Sequence, residues 1–107
     1  MEFINKIELQ GIVGTSTIST VQAKNVARFS LLVEETFKSG EGDVLVQSNW
    51  FNCIAWQSEK IVDLTKIKKG KVLHLTGRVR MQSYADSSGA NRYIWEIVCQ
   101  EIEAISK

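Results

Sequence analysis

The sequence has no proline, two cysteines, a single histidine and no long hydrophobic run. Cys53 and Cys99 are too few for a disulfide framework or a zinc site, so we expect two buried, free thiols. His74 has no cysteine or carboxylate neighbours at metal-binding spacing, which favours an ordinary strand residue. No segment approaches the roughly 20 apolar residues of a membrane span, and residues 1–6 lack the features of a signal peptide. These absences predict a cytoplasmic protein that holds no metal.

Motifs of catalysis and of cofactor binding are also missing. The segment from Gly11 to Gly14 has neither the later glycine and lysine nor the following helix of a phosphate-binding loop. No serine or cysteine stands in a nucleophile-elbow pattern, and the histidine and carboxylates form no group at catalytic spacing. We therefore expect a non-catalytic protein without a cofactor.

The charged residues are almost balanced, at 13 basic and 12 acidic, but they are unevenly distributed. Between Lys66 and Arg92 there are seven basic residues against the single acid Asp86, whereas the acids gather in residues 34–43 and 96–103. This asymmetry is a footprint of an anionic partner, although a solvated loop and helix end explain it equally well. The length of 107 residues suits one hydrophobic core, so we expect a single domain over residues 1–107.

Most of the chain shows the alternating or continuous apolar patterns of β-strands. The predicted strands cover residues 5–14, 25–35, 44–57, 72–84 and 92–105, with a polar loop at residues 36–43 and a hairpin tip at 85–91. One short helix is predicted over residues 58–70. Ser58 can cap its start, Lys68 and Lys69 suit its last turn, and Gly70 can end it.

Five strands with one helix between the third and the fourth indicate a Greek-key barrel, the oligonucleotide/oligosaccharide-binding (OB) fold. Gly11, Gly14 and Gly77 lie inside predicted strands and fit the bulges and bends that close a small barrel. We therefore predict an all-β protein with one short helix. The alternative is another small antiparallel barrel or a sandwich, which the position of the helix disfavours.

Alternation along the third strand separates two sets of side chains. Phe51, Cys53 and Ala55 share the face that suits a barrel interior, whereas Trp50 and Trp56 share the other face and point outward. Exposed aromatic rings between basic residues bind single-stranded nucleic acid, because unpaired bases stack on the rings while cations follow the phosphates. The alternative is that these rings pack in a core or a subunit interface.

The fourth strand repeats this combination, since Arg78, Arg80, Gln82 and Tyr84 share one face. Phe37 is a further aromatic residue, in the polar loop after the second strand. The sequence therefore predicts a binding face that combines aromatic and basic side chains.

With these residues identified, nearly the whole chain resembles the bacterial single-stranded-DNA-binding protein family. The matching stretches, in order, are residues 5–14, 26–31, 49–56, 68–72, 77–80, 92–93 and 96–98. The resemblance implies sequence-independent binding of single-stranded DNA in replication, recombination or repair. It places four aromatic residues at the family's base-stacking positions and four basic residues near the path of the strand: Phe37, Trp50, Trp56 and Tyr84, and Lys69, Arg78, Arg80 and Arg92.

The chain departs from the family's pattern at several positions. Ser58, Gln82 and Ser83 stand where lysine or arginine is common, and Trp95 is an additional aromatic residue without an assigned role. Phe51 replaces a histidine that is frequent in members that form tetramers.

The resemblance also implies an oligomer. We expect a homotetramer, with a dimer as the alternative, and Ile12, Phe51 and His74 are candidates for the interface. The sequence ends at Lys107 without the family's flexible linker and acidic tip, so we expect a tailless member for which tail-mediated replication and repair partners are doubtful. The chain is also similar to the primosomal replication-restart proteins, dimeric OB scaffolds that would dock partner proteins, with DNA binding secondary. An RNA-binding barrel is the third alternative.

Overall fold

The computed structural model describes residues 1–106. Lys107, the residue at which the prediction of a tailless chain was made, lies outside the described residues. Five strands follow one another: β1 (Ile7–Val21), β2 (Lys24–Lys38), β3 (Val44–Trp56), β4 (Val72–Ala85) and β5 (Asn91–Ile105). They form a closed barrel in the order β1-β2-β3-β5-β4. The all-β, five-stranded barrel predicted from the sequence is confirmed.

The first strand bends so that it can pair on both sides. It continues past Gly14, the predicted end of the strand, as far as Val21. Its first half pairs with β4 and its second half with β2, and Ile12 is paired with both neighbours. The register shifts between Val13 and Ser16, which is the irregularity expected around Gly14. This bend joins the two halves of the barrel.

On the side away from β1, the barrel closes through a short parallel contact between β3 and β5. This contact consists of two residue pairs, Cys53 with Ile97 and Ile54 with Val98. The β2–β3 and β4–β5 ladders are antiparallel and extend beyond it as two arms. At Gly77 the backbones of β4 and β5 lie so close that a Cβ would clash with the carbonyl oxygen of Val98, which is why a glycine is required there.

The core fills the barrel interior with aliphatic side chains, one phenylalanine and the two cysteines. Its members from the strands are Val13, Ala27, Phe29, Leu31, Cys53, Ala55, Leu73, Leu75, Ile97, Cys99 and Ile102. Cys53 and Cys99 are buried and are not joined by a disulfide, as the sequence predicts. The core thus contains Cys53 and Ala55 from the inward face of β3 and does not contain Trp50 or Trp56.

The helix predicted over residues 58–70 is wrong. The segment contains only a 3-10 turn at Leu64–Lys66. Before this turn, the amide of Val62 donates to the carbonyl of Ile102, and the amide of Ile102 donates to the carbonyl of Lys60, both at 3.0 Å. These bonds to β5 use backbone groups that an α-helix would need for itself.

The same segment closes one end of the barrel with three apolar side chains spaced by three residues. Ile61, Leu64 and Ile67 are between 2% and 5% exposed. Such spacing is shared by one face of an α-helix and by the irregular segment found here, so the pattern alone does not separate the two. Within residues 1–106, no helix has the length and apolar character that crossing a bilayer requires.

The polar loop predicted over residues 36–43 is also shorter than expected. β2 continues to Lys38, and Phe37 is paired with Leu45 in the β2–β3 ladder. The turn itself is narrow, since the amide of Gly42 donates to the carbonyl of Ser39 at 3.0 Å. Phe37 is therefore a strand residue rather than a loop residue.

Candidate nucleic-acid interface

The outward face of β3 carries two exposed indoles. Trp50 is 60% exposed and Trp56 is 39% exposed, while Cys53 and Ala55, on the opposite face, are buried. The outward placement predicted for the two tryptophans is therefore confirmed, whereas Ile54, predicted on the same face, is buried. Two large rings on one face of one strand form part of a patch, and exposed patches of this kind mark binding surfaces.

Trp50 lies against the bend of β1. A Cβ on Gly14 would be 2.5 Å from Cζ3 and 2.8 Å from Cη2 of the indole, so the absent side chain leaves the space that the ring occupies. The amide of Gly70 donates to the carbonyl of Val13 at 2.9 Å, which ties the lysine-bearing turn before β4 to the same bend. This bond places the turn that contains Lys69 near the Trp50 end of the face.

Trp56 is the last residue of β3 and lies beside the turn between β1 and β2. Residues 21–25 line an open groove together with Trp56 and Gln57. The two turn residues, Gln22 and Ala23, have φ angles of 51° and 65°, the left-handed values that a tight hairpin turn requires. The ring is therefore flanked by open space rather than by a packed neighbour.

β4 and β5 continue the outward face across the barrel. Tyr84 is 52% exposed and is paired with Arg92 of β5. Arg78 is paired with Val98 of β5, and Val98 is in turn paired with Ile54 of β3. A groove crosses this face from β1 to β4. It is lined by Thr15, Thr17, Arg28, Phe29, Ser30, Asn52, Cys53, Gln82, Tyr84, Ile94 and Glu96.

Two residues of this groove, Arg28 and Glu96, were not identified as site residues from the sequence. Glu96 is only 6% exposed, and its carboxylate accepts hydrogen bonds from Arg28 Nη1 at 2.9 Å and from Arg80 Nε and Nη2 at 3.1 and 2.8 Å. The available signal was alternation, because Arg28 stands between the inward residues Ala27 and Phe29. Arg80 is therefore an ion-paired residue, with its guanidinium held in place.

Arg92 is also ion-paired, at the tip of the β4–β5 arm. Its Nε donates to Asp86 Oδ2 at 2.8 Å, and the other oxygen of Asp86 accepts from Ser88 and from the amide of Ala90. Hydrogen bonds from Ser88 and then from Arg92 lower the pKa of Asp86 to about 2. The carboxylate that offsets Arg92 is thus ionised at any ordinary pH.

Phe37 and Trp95 lie on the reverse side of the arms. The β2–β3 register is unbroken from Val26 to Lys38, so Phe37 falls on the opposite face from Trp50. Trp95 is 61% exposed and lies two residues before the inward residue Ile97 on β5, so the two share a face. The structure therefore brings Trp50, Trp56 and Tyr84 to one face and does not bring Phe37 to it.

Two further groups of ionisable side chains lie around Cys53 and around His74. A hydrogen bond with Cys99, together with burial, raises the pKa of the Cys53 thiol, which keeps the thiol protonated. His74 Nε2 lies 2.7 Å from Glu8 Oε2 and its Nδ1 lies 3.5 Å from Glu103 Oε1. In the part of the chain that the structure describes, no three histidine, cysteine or carboxylate groups are arranged to hold a metal ion.

The fold matches two solved structures. One is a Plasmodium falciparum SSB complex with ssDNA, with a TM-score of 0.84, 21% identity and coverage of 99% of this chain and 98% of that one. The other is a deletion mutant of the single-stranded DNA binding protein from Thermus aquaticus, with a TM-score of 0.75, 10% identity and coverage of 96% and 51%. At these identities, the likeness shows the fold alone.

Sequence comparison finds closer relatives. Single-stranded DNA-binding protein 1 of Chlorobaculum tepidum is 29% identical over 95% of this chain and 65% of its own length. Single-stranded DNA-binding protein 4 of Streptococcus agalactiae is 30% identical over 97% and 75%, and the Enterococcus faecalis protein is 27% identical over 80% and 45%. The chain thus spans between about half and three quarters of these relatives.

All of these names describe binding proteins rather than enzymes. The profile of the Single-strand binding protein family matches residues 4–105, which is almost the entire sequence. The chain therefore belongs to the single-strand binding protein family.

Proposed function

We propose that this protein binds single-stranded DNA without sequence specificity, by stacking bases on aromatic rings and by attracting phosphates with basic side chains. The observation that carries this proposal is the exposure of Trp50, Trp56 and Tyr84 on one continuous outward face. The relatives named above are single-stranded DNA-binding proteins, and the Plasmodium falciparum structure is a complex with ssDNA. The proposed activity is binding without catalysis.

Stacking is the dominant contribution in this proposal. Each stacked base contributes about 1–3 kcal/mol whatever its identity, so three rings on one face suffice for tight binding by a chain of net charge +1. Lys69, Arg78, Arg80 and Arg92 supply the phosphate contacts. Since Arg80 and Arg92 are ion-paired, the proposal assigns them less than a full charge each.

Phe37 is retained as a fourth stacking residue. It is 49% exposed, but it lies on the reverse face of the β2–β3 arm. A strand that stacks on both Trp50 and Phe37 must therefore pass around the edge of this arm. This path predicts that oligonucleotides long enough to turn the edge gain affinity from Phe37 and that very short ones do not.

We further propose that residues 1–107 act as one domain in a homotetramer, or in a dimer, that serves DNA replication, recombination or repair. Of the predicted interface residues, Ile12 and His74 lie on the outward side of the β1–β4 ladder, whereas Phe51 packs against the core. The proposal therefore favours the β1–β4 surface over Phe51 as the region of contact between subunits.

A replication-restart-type scaffold is the second candidate function. The observation that favours it is the reverse face of the β4–β5 arm, where Met81, Tyr93 and Trp95 are 52%, 65% and 61% exposed. Charged residues are depleted at the centres of protein interfaces, whereas aromatic residues and methionine are enriched there. In this alternative, the reverse face docks a partner protein and the outward face binds DNA weakly.

Tryptophan fluorescence separates the two candidates. A Trp95→Phe variant leaves Trp50 and Trp56 as its fluorescent indoles, and both lie on the outward face. We expect oligo-dT to quench this fluorescence strongly, because bases stack on the rings, and inorganic polyphosphate to quench it little. Absence of quenching at low salt would contradict the proposed function, and equal quenching by polyphosphate would show binding by charge without stacking.

A further inference from the structure

Glu96 is the one buried charged residue in the described part of the chain, and it holds two cations. Its side chain is 7% exposed, whereas those of Arg28 and Arg80 are 59% and 38% exposed. Three N–H groups from the two guanidiniums bond to its two oxygens at 2.8 to 3.1 Å. The carboxylate is therefore covered from solvent by the cations that it binds.

The three residues come from three different strands and meet at the groove, which Arg28 and Glu96 line. Arg28 on β2 is paired with Ile54 of β3, and its side chain reaches across β3 to Glu96 on β5. This path accounts for Ile54, which is only 1% exposed although it alternates with the inward residues. Arg80 is paired with Glu96 in the β4–β5 ladder. Arg28 and Glu96 thus lie in the groove that Tyr84 also lines, on the proposed path of the DNA.

We propose that Glu96 is a positioning residue that neutralises one of these two guanidiniums, so that Arg28 and Arg80 together present a single fixed positive charge to one phosphate group. This inference rests on the proposed function and adds a contact, Arg28, that the resemblance to the family does not assign. Two cations and one anion leave a net charge of +1. The geometry directs that charge outward, because the carboxylate is buried beneath the guanidiniums.

Salt dependence measures this charge directly. The logarithm of affinity for a single strand falls with the logarithm of salt concentration by about 0.7 for each phosphate neutralised. Glu96→Gln leaves two uncompensated guanidiniums, so we expect the slope for oligo-dT to become steeper by about 0.7. Between 50 and 200 mM salt, the variant then loses roughly 2.5-fold more affinity than the wild-type protein does. A merely structural role for Glu96 would lower affinity without steepening the slope.

A double variant makes the test specific to the cluster. Arg28→Gln alone leaves a neutral Arg80–Glu96 pair, so its slope should become shallower by about 0.7. Combining Arg28→Gln with Glu96→Gln leaves one free guanidinium and should restore the wild-type slope. Glu101→Gln is the matched control, because it removes the same charge from β5 at a residue that faces Lys60 outside the groove. It should leave the slope unchanged.

Each result is interpretable separately from the proposed function. If the wild-type protein fails to bind oligo-dT, the proposed function itself is wrong. If the wild-type protein binds but Glu96→Gln has an unchanged or shallower slope, Glu96 does not limit the charge and the inference is overturned. Thermal unfolding identifies any variant that does not fold. Should Glu96→Gln unfold, Arg28→Gln still decides, since an unchanged slope in that variant rules out the Arg28 contact.

Discussion

Replacing Gly14 with alanine tests whether the position of the Trp50 ring controls binding. The new Cβ would lie 2.5 Å from Cζ3 of the indole and 2.9 Å from Ser30 Oγ. Carbon atoms in contact are roughly 3.5–4.0 Å apart, so the ring must retreat by about 1 Å or more. The ring is 60% exposed, so it can move toward solvent without disturbing the core.

The structure separates the cost to folding from the cost to binding. Overpacking a closed core costs about 1–3 kcal/mol, and we expect the lower end here because the displaced group is the mobile end of a surface side chain. Ser30 Oγ accepts a hydrogen bond from the amide of Thr15 at 2.9 Å, and its displacement adds to this cost. Binding should lose most of one stacking contact, about 1–3 kcal/mol, which is roughly a 5- to 150-fold weaker affinity for oligo-dT.

Titration with oligo-dT and thermal unfolding, measured on the same samples, test this expectation. Gly40→Ala is the control, because a Cβ at Gly40 meets nothing within 4 Å, and it should bind and unfold like the wild-type protein. If Gly14→Ala binds DNA as tightly as the wild-type protein, the position of the Trp50 ring is irrelevant to binding. A loss of affinity that merely follows a large loss of stability would also refute the argument.

Three further outcomes are expected. Trp50→Ala and Trp56→Ala should each weaken oligo-dT binding by about 1–3 kcal/mol, with a loss that persists at high salt, while Trp95→Ala, on the reverse face, should bind normally in filter assays. The pKa of Asp86 is lowered from its ordinary 3.8 to about 2, so its stabilisation of the hairpin tip should be complete above pH 4 and disappear as pH falls through about 2, seen in the NMR shift of the Ser88 amide. Light scattering should give a mass near four times 12.1 kDa for a tetramer, or near two times 12.1 kDa for a dimer. The mass of one chain would contradict the expected assembly.

The alternation of side chains made much of the barrel predictable. In β3, the inward Cys53 and Ala55 and the outward Trp50 and Trp56 follow from a period of two, because each strand has one face in the core and one in solvent. The same rule placed Arg80 and Tyr84 outward. Where one face of a strand lies in the core and the other in solvent, the alternation of apolar and polar side chains shows which residues belong to each face.

The segment at residues 58–70 shows where local patterns fail. Capping residues and apolar spacing suited a helix, but short helices are marginal by themselves and depend on packing. Here the backbone of Lys60 and Val62 bonds to Ile102 of β5 instead. The conformation of this segment therefore depends on Ile102, 40 residues after Val62 in the chain, and the local sequence of residues 58–70 carries no information about that contact.

The ion-paired cluster was out of reach for a related reason. Arg28 and Glu96 are separated by 68 residues, and only the barrel order brings β2 and β5 to either side of β3. Likewise, the face of Phe37 depends on the unbroken β2–β3 register, which fixes the side of each residue along the whole ladder. The types of residue in the site were predictable from the sequence, but the pairs that neutralise one another were not.

The short parallel contact between β3 and β5 has a consequence for the motions of the barrel. Local opening occurs where few hydrogen bonds hold two elements together, and the two pairs at Cys53 and Ile54 hold less than the long ladders on either side. On the proposed path, a strand of DNA lying across the groove would touch β3 on one side of this junction and β4 and β5 on the other. A ligand that binds only the closed junction stabilises it by mass action. Amide hydrogen exchange at Cys53 and Ile54 should therefore slow when DNA is bound, which links occupation of the surface to closure of the barrel beneath it.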